Sequence, residues 1–344
     1  MDELMTGVGR IGVVVIGRNE GERLKRCLRS LPEGLPVVYV DSGSTDGSID
    51  FADSIGVSVV ALDMSVPFTA ARARNAGWKA LIEGGHEPEF IQFVDGDCEI
   101  DRGWFASAEA ALQLEPGVAA VFGRLRERFP ESSLFNRMCD DEWNVPVGIV
   151  DHCGGNAMIR LSAITAVGGF DDQLIAGEEP DLCLRMRDIG FEIRRIDAEM
   201  GLHDAAMFTF DSWWKRTKRS GYAYTEHIWR HGKRALPTWR RQLYSIGFWA
   251  FGMPFIALLA SFTLVRPSHY ALPIACAFVA AAYIFQIFRM TWRTMKIGEK
   301  WYYAIRTAAL MMLGKIPQAL GALDYLFDRA LKRKRSLIEH RAKS

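Results

Sequence analysis

Near the start of the chain, apolar runs rich in β-branched residues alternate with stretches of helical spacing. This alternation limits the fold more than any other feature of the sequence. Ile11 to Ile16 reads as a central parallel strand, and Leu24, Cys27, Leu28 and Leu31 mark a helix behind it that ends at Pro32. Val37 to Val40 and Val57 to Leu62 are the next strands. Thr69 is placed to cap a helix from Ala70 to Ile82, closed by Gly84-Gly85. A fourth apolar run follows at Phe90. The expected class is α/β, with a mostly parallel sheet sandwiched by helices.

That fourth run, Phe90-Ile91-Gln92-Phe93-Val94, ends in Asp95-Gly96-Asp97. Alternate residues of an extended chain project to one side, so Asp95 and Asp97 are expected to face one point, with Gly96 removing the side chain between them. Two adjacent carboxylates repel unless a cation joins them. A hard ion, Mg²⁺ or Mn²⁺, suits oxygen ligands and also holds substrate phosphates. A solvated Asp-Gly turn is the alternative.

The loops after the other strands are polar. Asp41 opens Asp41-Ser42-Gly43-Ser44-Thr45-Asp46-Gly47-Ser48 at the C-terminal end of a strand, where open α/β sheets bind ligands. A carboxylate there can accept from a uracil N–H or a ribose hydroxyl, and Asp46 reads as the N-cap of the next helix. Arg72 and Arg74 fall near a helix start, where cations oppose the helix dipole, so a neighbouring anion such as a diphosphate, or plain solvent, is expected to compensate them. Gly7-Val8-Gly9-Arg10-Ile11-Gly12 matches a dinucleotide fingerprint in letters only, because it precedes its strand rather than following one.

Four stretches resemble the bacterial family 2 glycosyltransferases of GT-A fold: Val13 to Asn19, Val40 to Ser48, Ala73-Arg74-Asn75-Ala76-Gly77, and Val94-Asp95-Gly96-Asp97. The resemblance spans roughly residues 10 to 230. It implies a nucleoside diphosphate sugar donor (a UDP- or GDP-sugar), a divalent metal, and inversion at the anomeric carbon. It also implies that Asp41 meets the base or ribose, Asp95 the nucleotide-sugar, and Asp97 the metal on the diphosphate. The family has two acidic residues before its Gly-Ser, whereas this chain has Asp41-Ser42. The glycine-rich Cys153-Gly154-Gly155-Asn156 would lie beside the donor sugar, and Gly168-Gly169-Phe170-Asp171 matches the turn before the catalytic loop.

Glu178-Glu179-Pro180-Asp181 stands where the family reads Glu-Asp. Pro180 suits the first position of a helix, with Leu182, Met186 and Ile189 as its apolar stripe and Gly190 beyond its end. Acidic residues at a helix start also compensate the dipole. The resemblance makes Glu179 the general base, with Glu178 and Asp181 as competitors. His203, after a strand from Glu192 to Ile196, is either a further metal ligand or a structural histidine. Trp143, in an acidic stretch that reads as a loop, either stacks on a sugar or packs in a core.

The 49% apolar content is unevenly spread, and much of it follows Tyr244. Tyr244 to Val265 spans about 33 Å as a helix, against a bilayer core of about 30 Å. Ala271 to Phe288 is a second apolar segment after a break at Arg266 to Tyr270, and basic residues flank the pair on both outer sides. The expected organisation is a transferase domain over 1-240, a transmembrane hairpin over 241-290, and an interfacial helix with a basic tail over 291-344, with both ends of the hairpin cytoplasmic. A buried hairpin in a soluble domain is the alternative. Trp213 to Tyr224 is aromatic and basic, which suits a membrane surface, with Arg216 or Arg219 reaching the diphosphate as another reading. No base-reading motif accompanies it, and no nucleic-acid partner is expected.

A net charge of +1 names no polyanionic partner, and the six cysteines have no zinc spacing and read as reduced thiols. The N-terminus lacks the regions of a signal peptide. The resemblance and the apolar segments together imply an enzyme at the cytoplasmic face of the inner membrane that moves a single sugar to a lipid-linked or glycan acceptor, since the Gln-x-x-Arg-Trp of the family's processive members is absent. A nucleotidyltransferase-like enzyme and an inactive membrane scaffold are the alternatives.

Overall fold

The computed structural model describes residues 10–264 and 270–333. The opening glycines of the fingerprint-like pattern, Val265, the break from Arg266 and most of the basic tail lie outside the described residues. The chain divides into two compact units between Phe208 and Thr209.

In the first unit, β1 (Ile11–Gly17), α1 (Glu22–Ser30), β2 (Val37–Asp41), α2 (Ser48–Ser54), β3 (Ser58–Ala61), α3 (Ala70–Glu83) and β4 (Phe90–Asp95) realise the expected alternation. Their strands pair in parallel in the order β3-β2-β1-β4. Then come β5 (Cys98–Ile100), α4 (Trp104–Leu114), β6 (Val118–Glu127), α5 (Leu134–Trp143), β7 (Gly148–Val150), β8 (Ala157–Arg160), α6 (Leu161–Ala166), α7 (Glu178–Asp188) and β9 (Glu192–His203). They extend the sheet to β3-β2-β1-β4-β8-β6-β9-β5, with β7 also on β9. This half is mixed: β8 is antiparallel to both β4 and β6, β6 is parallel to β9, and β9 is antiparallel to β5 and β7.

Val13, Val14, Val15, Phe90, Ile91, Phe93 and Val94 are buried, as β-branched and aromatic residues of strands covered on both faces should be. Each contributes about 1.5–3 kcal/mol. The polar Gln92 within this run is satisfied, since its Oε1 accepts from Trp104 Nε1 at 2.7 Å. Helix α3 lies unusually close to β1: a Cβ on Gly77 would stand 2.3 Å from Val14 Cγ1. That close approach fixes the height of Arg74 one turn earlier.

Several local expectations differ. Helix α7 starts at Glu178 behind Gly177 (φ 85°), so Pro180 is its third residue and both glutamates lie in its first turn. The N-cap of α2 is Gly47, while Asp46 accepts from the backbone N–H and hydroxyl of Ser48 one step before it. The acidic stretch at Trp143 is the end of α5, whose N-cap Ser133 accepts from Asn136 N–H. Strand β9 runs on to His203, well past Ile196, because β5 and the far end of β6 supply edges for it.

The second unit is helical: α8 (Phe210–His231), α9 (Pro237–Gly247), α10 (Met253–Leu264), α11 (Ala271–Lys296), α12 (Trp301–Leu313) and α13 (Lys315–Ala330). The expected boundary at 240 falls inside α9. Helices α8 and α13 touch backbone to backbone, since a Cβ on Gly221 would lie 2.0 Å from the Gln318 carbonyl and one on Gly321 1.9 Å from that of Lys218. Lys218 and Asp324 pair at 2.7 Å across this seam. A π turn, Phe248–Gly252, joins α9 to α10 just before Pro254, which has no N–H to continue the ladder. Pro237–Thr263 and Ala271–Lys296 are each long and apolar enough to cross a bilayer, and their most apolar stretches are only 17% and 11% buried. A buried hairpin does not describe them.

Candidate active site

Arg74 organises the site. Its side chain is 3% exposed, and it projects from α3 between the end of β4 and the start of α7. Nη2 donates to Asp95 Oδ1 at 2.9 Å, and Nη1 donates to Glu178 Oε1 at 2.8 Å. Glu179 Oε1 lies 3.1 Å from the same Nη1. One guanidinium therefore holds three carboxylates from two distant segments. Burial opposes its charge, but Glu179, Asp95 and Glu178 outweigh burial and hold it protonated.

Asp95 is also fixed by Asn156: its N–H donates to Asn156 Oδ1 at 3.0 Å, and Asn156 Nδ2 donates to its Oδ2 at 3.3 Å. The Asp95 side chain remains 32% exposed. The glycine-rich strand start has a steric reason, because a Cβ on Gly155 would stand 2.3 Å from Arg74 Nη2 and 2.7 Å from Asp95 Oδ2. Asn75, next to Arg74, joins α3 to the second glycine turn. Its Nδ2 donates to the Phe170 carbonyl at 2.8 Å and to Asp172 Oδ1 at 2.7 Å, and its Oδ1 accepts from Phe170 N–H at 3.0 Å. Gly169 (φ 84°) is required there twice over, since its Cβ would also fall 2.6 Å from Asn75 Oδ1.

Glu179 is the more accessible of the two glutamates, with side-chain exposures of 17% against 9% for Glu178. Burial raises its pKa to about 7, helped by Glu178 and Asp95 and opposed by Arg74. That value suits a group that must take up a proton near neutrality. Asp181 is committed elsewhere, to Arg185 one turn on at 2.8 Å.

Strand β4 ends at Asp95, the chain turns at Gly96, and Asp97 meets His203 of β9. Its Oδ2 lies 2.9 Å from His203 Nε2, and its Oδ1 accepts from Cys98 Sγ at 3.5 Å. A Cβ on Gly96 would stand 3.1 Å from the Ile16 carbonyl, so packing also favours glycine there. The ligand atoms of Asp97, Cys98 and His203 lie within 4.8 Å of one another. A carboxylate and an imidazole fit Mn²⁺ and other divalent ions that accept mixed O/N ligands. Cys98 is a poor third ligand for a hard ion, since burial and Asp95 raise its thiol pKa well above its ordinary value. Trp143 stacks on His203 with ring centroids 4.4 Å apart, so its indole is a wall of this cluster.

The Asp41 carboxylate is buried and turned into its own loop. Oδ1 accepts from Tyr39 Oη, and Oδ2 from the N–H groups of Gly43 and Ser44, all at 2.8 Å. Asn19 fastens the first loop to this one, accepting from Thr45 N–H at 2.8 Å and donating its own N–H to Ser44 Oγ at 2.8 Å. Arg72 donates to the carbonyls of Asp63, Val66 and Pro67, and its charge also acts on the Asp63 carboxylate. Gly155 and Asn156 were expected beside the donor sugar, but their contacts with Arg74 and Asp95, and those of Asn75 with the second glycine turn, were not expected. Their contacts join residues 60 to 97 positions apart, so no local spacing signals them.

Two family models match the chain, "Glycosyl transferase family 2" over residues 12–166 and "Glycosyl transferase family group 2" over residues 139–288. A pre-mycofactocin glycosyltransferase of Mycobacterium tuberculosis is 30% identical over 207 residues, covering 56% of this chain. The chain spans only 42% of that relative's length. Glycosyltransferase AglE of Haloferax volcanii is 22% identical, covering 76% of this chain and 83% of its own. Among solved structures, the mannosyltransferase PcManGT of Pyrobaculum calidifontis, in complex with GDP-Man and Mn²⁺, superposes with a TM-score of 0.56 at 19% identity, covering 91% of this chain and 87% of its own.

Proposed function

The chain belongs to the family 2 glycosyltransferases, and from that premise we propose that it transfers one sugar, with inversion, from a nucleoside diphosphate sugar to a hydroxyl acceptor. The observation that carries this reading is the Arg74 bridge, which puts the exposed carboxylate of Asp95 and the near-neutral base Glu179 on one guanidinium. Glu179 takes the proton from the acceptor hydroxyl as it attacks, and no covalent intermediate is required. Arg74 holds Glu179 in place and keeps its pKa from rising further. Asp95, clamped by Arg74 and Asn156, accepts hydrogen bonds from donor hydroxyls with the edge it leaves open. Asp41 shapes the base-binding loop, presenting the backbone of Gly43 and Ser44.

Asp97 and His203 would hold a divalent ion, with Mn²⁺ favoured over Mg²⁺ by the imidazole. When bound, such an ion supplies Lewis-acid compensation for the charge that develops on the leaving diphosphate. The GDP-Man and Mn²⁺ of the solved neighbour support this donor and metal class. The weakly buried helices 237–263 and 271–296 support a bilayer location, with the transferase unit at the cytoplasmic face of the inner membrane and a lipid-linked acceptor.

The test is release of nucleoside diphosphate by the purified full chain from UDP- and GDP-sugars, with and without Mn²⁺. Metal-dependent turnover of one donor is expected, and Glu179→Gln should retain donor binding while losing transfer. Unimpaired transfer by that variant places the base elsewhere.

A further inference from the structure

Arg195 is a second buried arginine, in a cleft separate from the Arg74 cluster. It lies on β9, pairs in register with Gly148 of β7, and is 5% exposed. The cleft has a volume of about 300 Å³ and is lined also by Arg124, Arg126, Asn144 and Glu199. It opens beside the stretch of β9 between its pairings with β7 and β5.

The two other arginines are engaged. Arg126 makes a two-pronged pair with Glu199, Nε to Oε2 at 2.8 Å and Nη2 to Oε1 at 2.7 Å. Arg124 pairs with Asp140 at 2.8 Å and donates to the Leu125 carbonyl at 2.5 Å. Among the described residues, Arg195 has no such partner. Its Nε is buried without a hydrogen bond, and its one ion contact is Asp197 at 4.0 Å, a side chain 94% exposed. A guanidinium withdrawn from water needs a hydrogen-bonded counter-charge, and its planar fork matches phosphate oxygens in pairs. The lining sets three arginines (Arg124, Arg126 and Arg195) against two carboxylates (Asp197 and Glu199).

We infer that the Arg195 cleft binds a phosphate-type oxyanion, held by the free fork of Arg195 and the amide of Asn144. The ligand is inorganic phosphate or the phosphate head of a lipid monoester. The cleft borders the metal-ligand cluster through α5, whose last residue Trp143 packs on His203 while the next residue, Asn144, lines the cleft. The inference stands on Arg195 alone and does not depend on the transferase reading.

The experiment is thermal-shift titration of the full chain in neutral detergent, without metal. Inorganic phosphate and dihexanoyl phosphatidic acid, each against sodium chloride of equal ionic strength, are the two arms. A saturable rise in melting temperature is expected in at least one arm, and the arm that saturates at lower concentration identifies the source. Arg195→Gln should weaken that response at least tenfold, with Arg195→Lys intermediate, and Asp97→Asn should leave it unchanged. If Arg195→Gln does not fold, Asn144→Ala and line broadening of the phosphate ³¹P signal carry the same test. No saturable response in either arm, or an equal response in the Arg195 and Asn144 variants, overturns the inference.

Discussion

The raised pKa of Glu179 makes a prediction in which stability and activity move in opposite directions. Its carboxyl titrates at about 7 in the folded chain, against an ordinary value of 4.5. Between those values the folded protein holds a proton that the unfolded chain has lost, so stability falls as pH rises across that interval. At about 1.4 kcal/mol per pH unit, the ionised form costs roughly 3 kcal/mol. Glutamine stands in for the protonated acid without titrating. Glu179→Gln should therefore match the wild type in stability near pH 5 and exceed it above pH 7, by roughly 6–12 °C in melting temperature for a unit of this size. The assay is a series of thermal melts from pH 5 to 8.5 on both proteins. The same variant should be inactive, and wild-type turnover should rise through about pH 7 as Glu179 ionises. A melting difference that is constant with pH, or that favours the wild type at high pH, refutes the assignment of a buried, near-neutral base.

Other tests address the surrounding parts. Gly155→Ala should displace Arg74 and Asp95, whose atoms stand 2.3 and 2.7 Å from the added Cβ, and lower kcat/KM by about 100-fold in steady-state assays. Asp97→Asn should abolish Mn²⁺-dependent donor binding in calorimetry, and retention of the full binding heat would move the metal away from His203. The full chain should stay with membranes through high-salt and alkaline-carbonate washes, as spanning helices do, and release by salt alone would reduce the two apolar helices to a peripheral role.

The parts of the fold that were legible in sequence are those written locally. The β-branched run at Ile11 and the Thr69 cap announce their elements within a few residues, and both occur as read, with Thr69 accepting from Arg72 N–H. The unread parts depend on partners far along the chain. Strand β9 outruns its expected end because β5 and β6 provide edges that no window around Ile196 contains. The Asp97–His203 contact was unread for the same reason: strand periodicity holds only while the strand continues, β4 stops at Asp95, and His203 lies 106 residues further along. Arg72 and Arg74 look alike in sequence, yet one clamps loop carbonyls and the other lies under three carboxylates. Two residues apart on a helix, they face opposite sides, and only the Arg74 side shares the face that Gly77 seats against β1.

The position of Glu179 also gives its departure from the aspartate of similar enzymes a physical setting. Helix α7 begins at Glu178, so both glutamates leave the same first turn and both reach Nη1 of Arg74, at 2.8 and 3.1 Å. Glu178 makes the shorter contact and is the more buried, so it serves as the fixed counter-charge, and its negative charge is one of the influences that raise Glu179. Two carboxylates on one cation cannot both be fully compensated. Glu179, withdrawn from water and set beside the charges of Glu178 and Asp95, therefore keeps its proton at mildly acid pH and gives it up near neutrality. A shorter side chain at position 179 would draw back from the shared guanidinium and lose the opposition that keeps its pKa from climbing higher. Glu179→Asp should accordingly shift the turnover profile to higher pH rather than only lowering its height. A profile lowered without displacement would mean that Arg74 positions the base but does not set its ionisation.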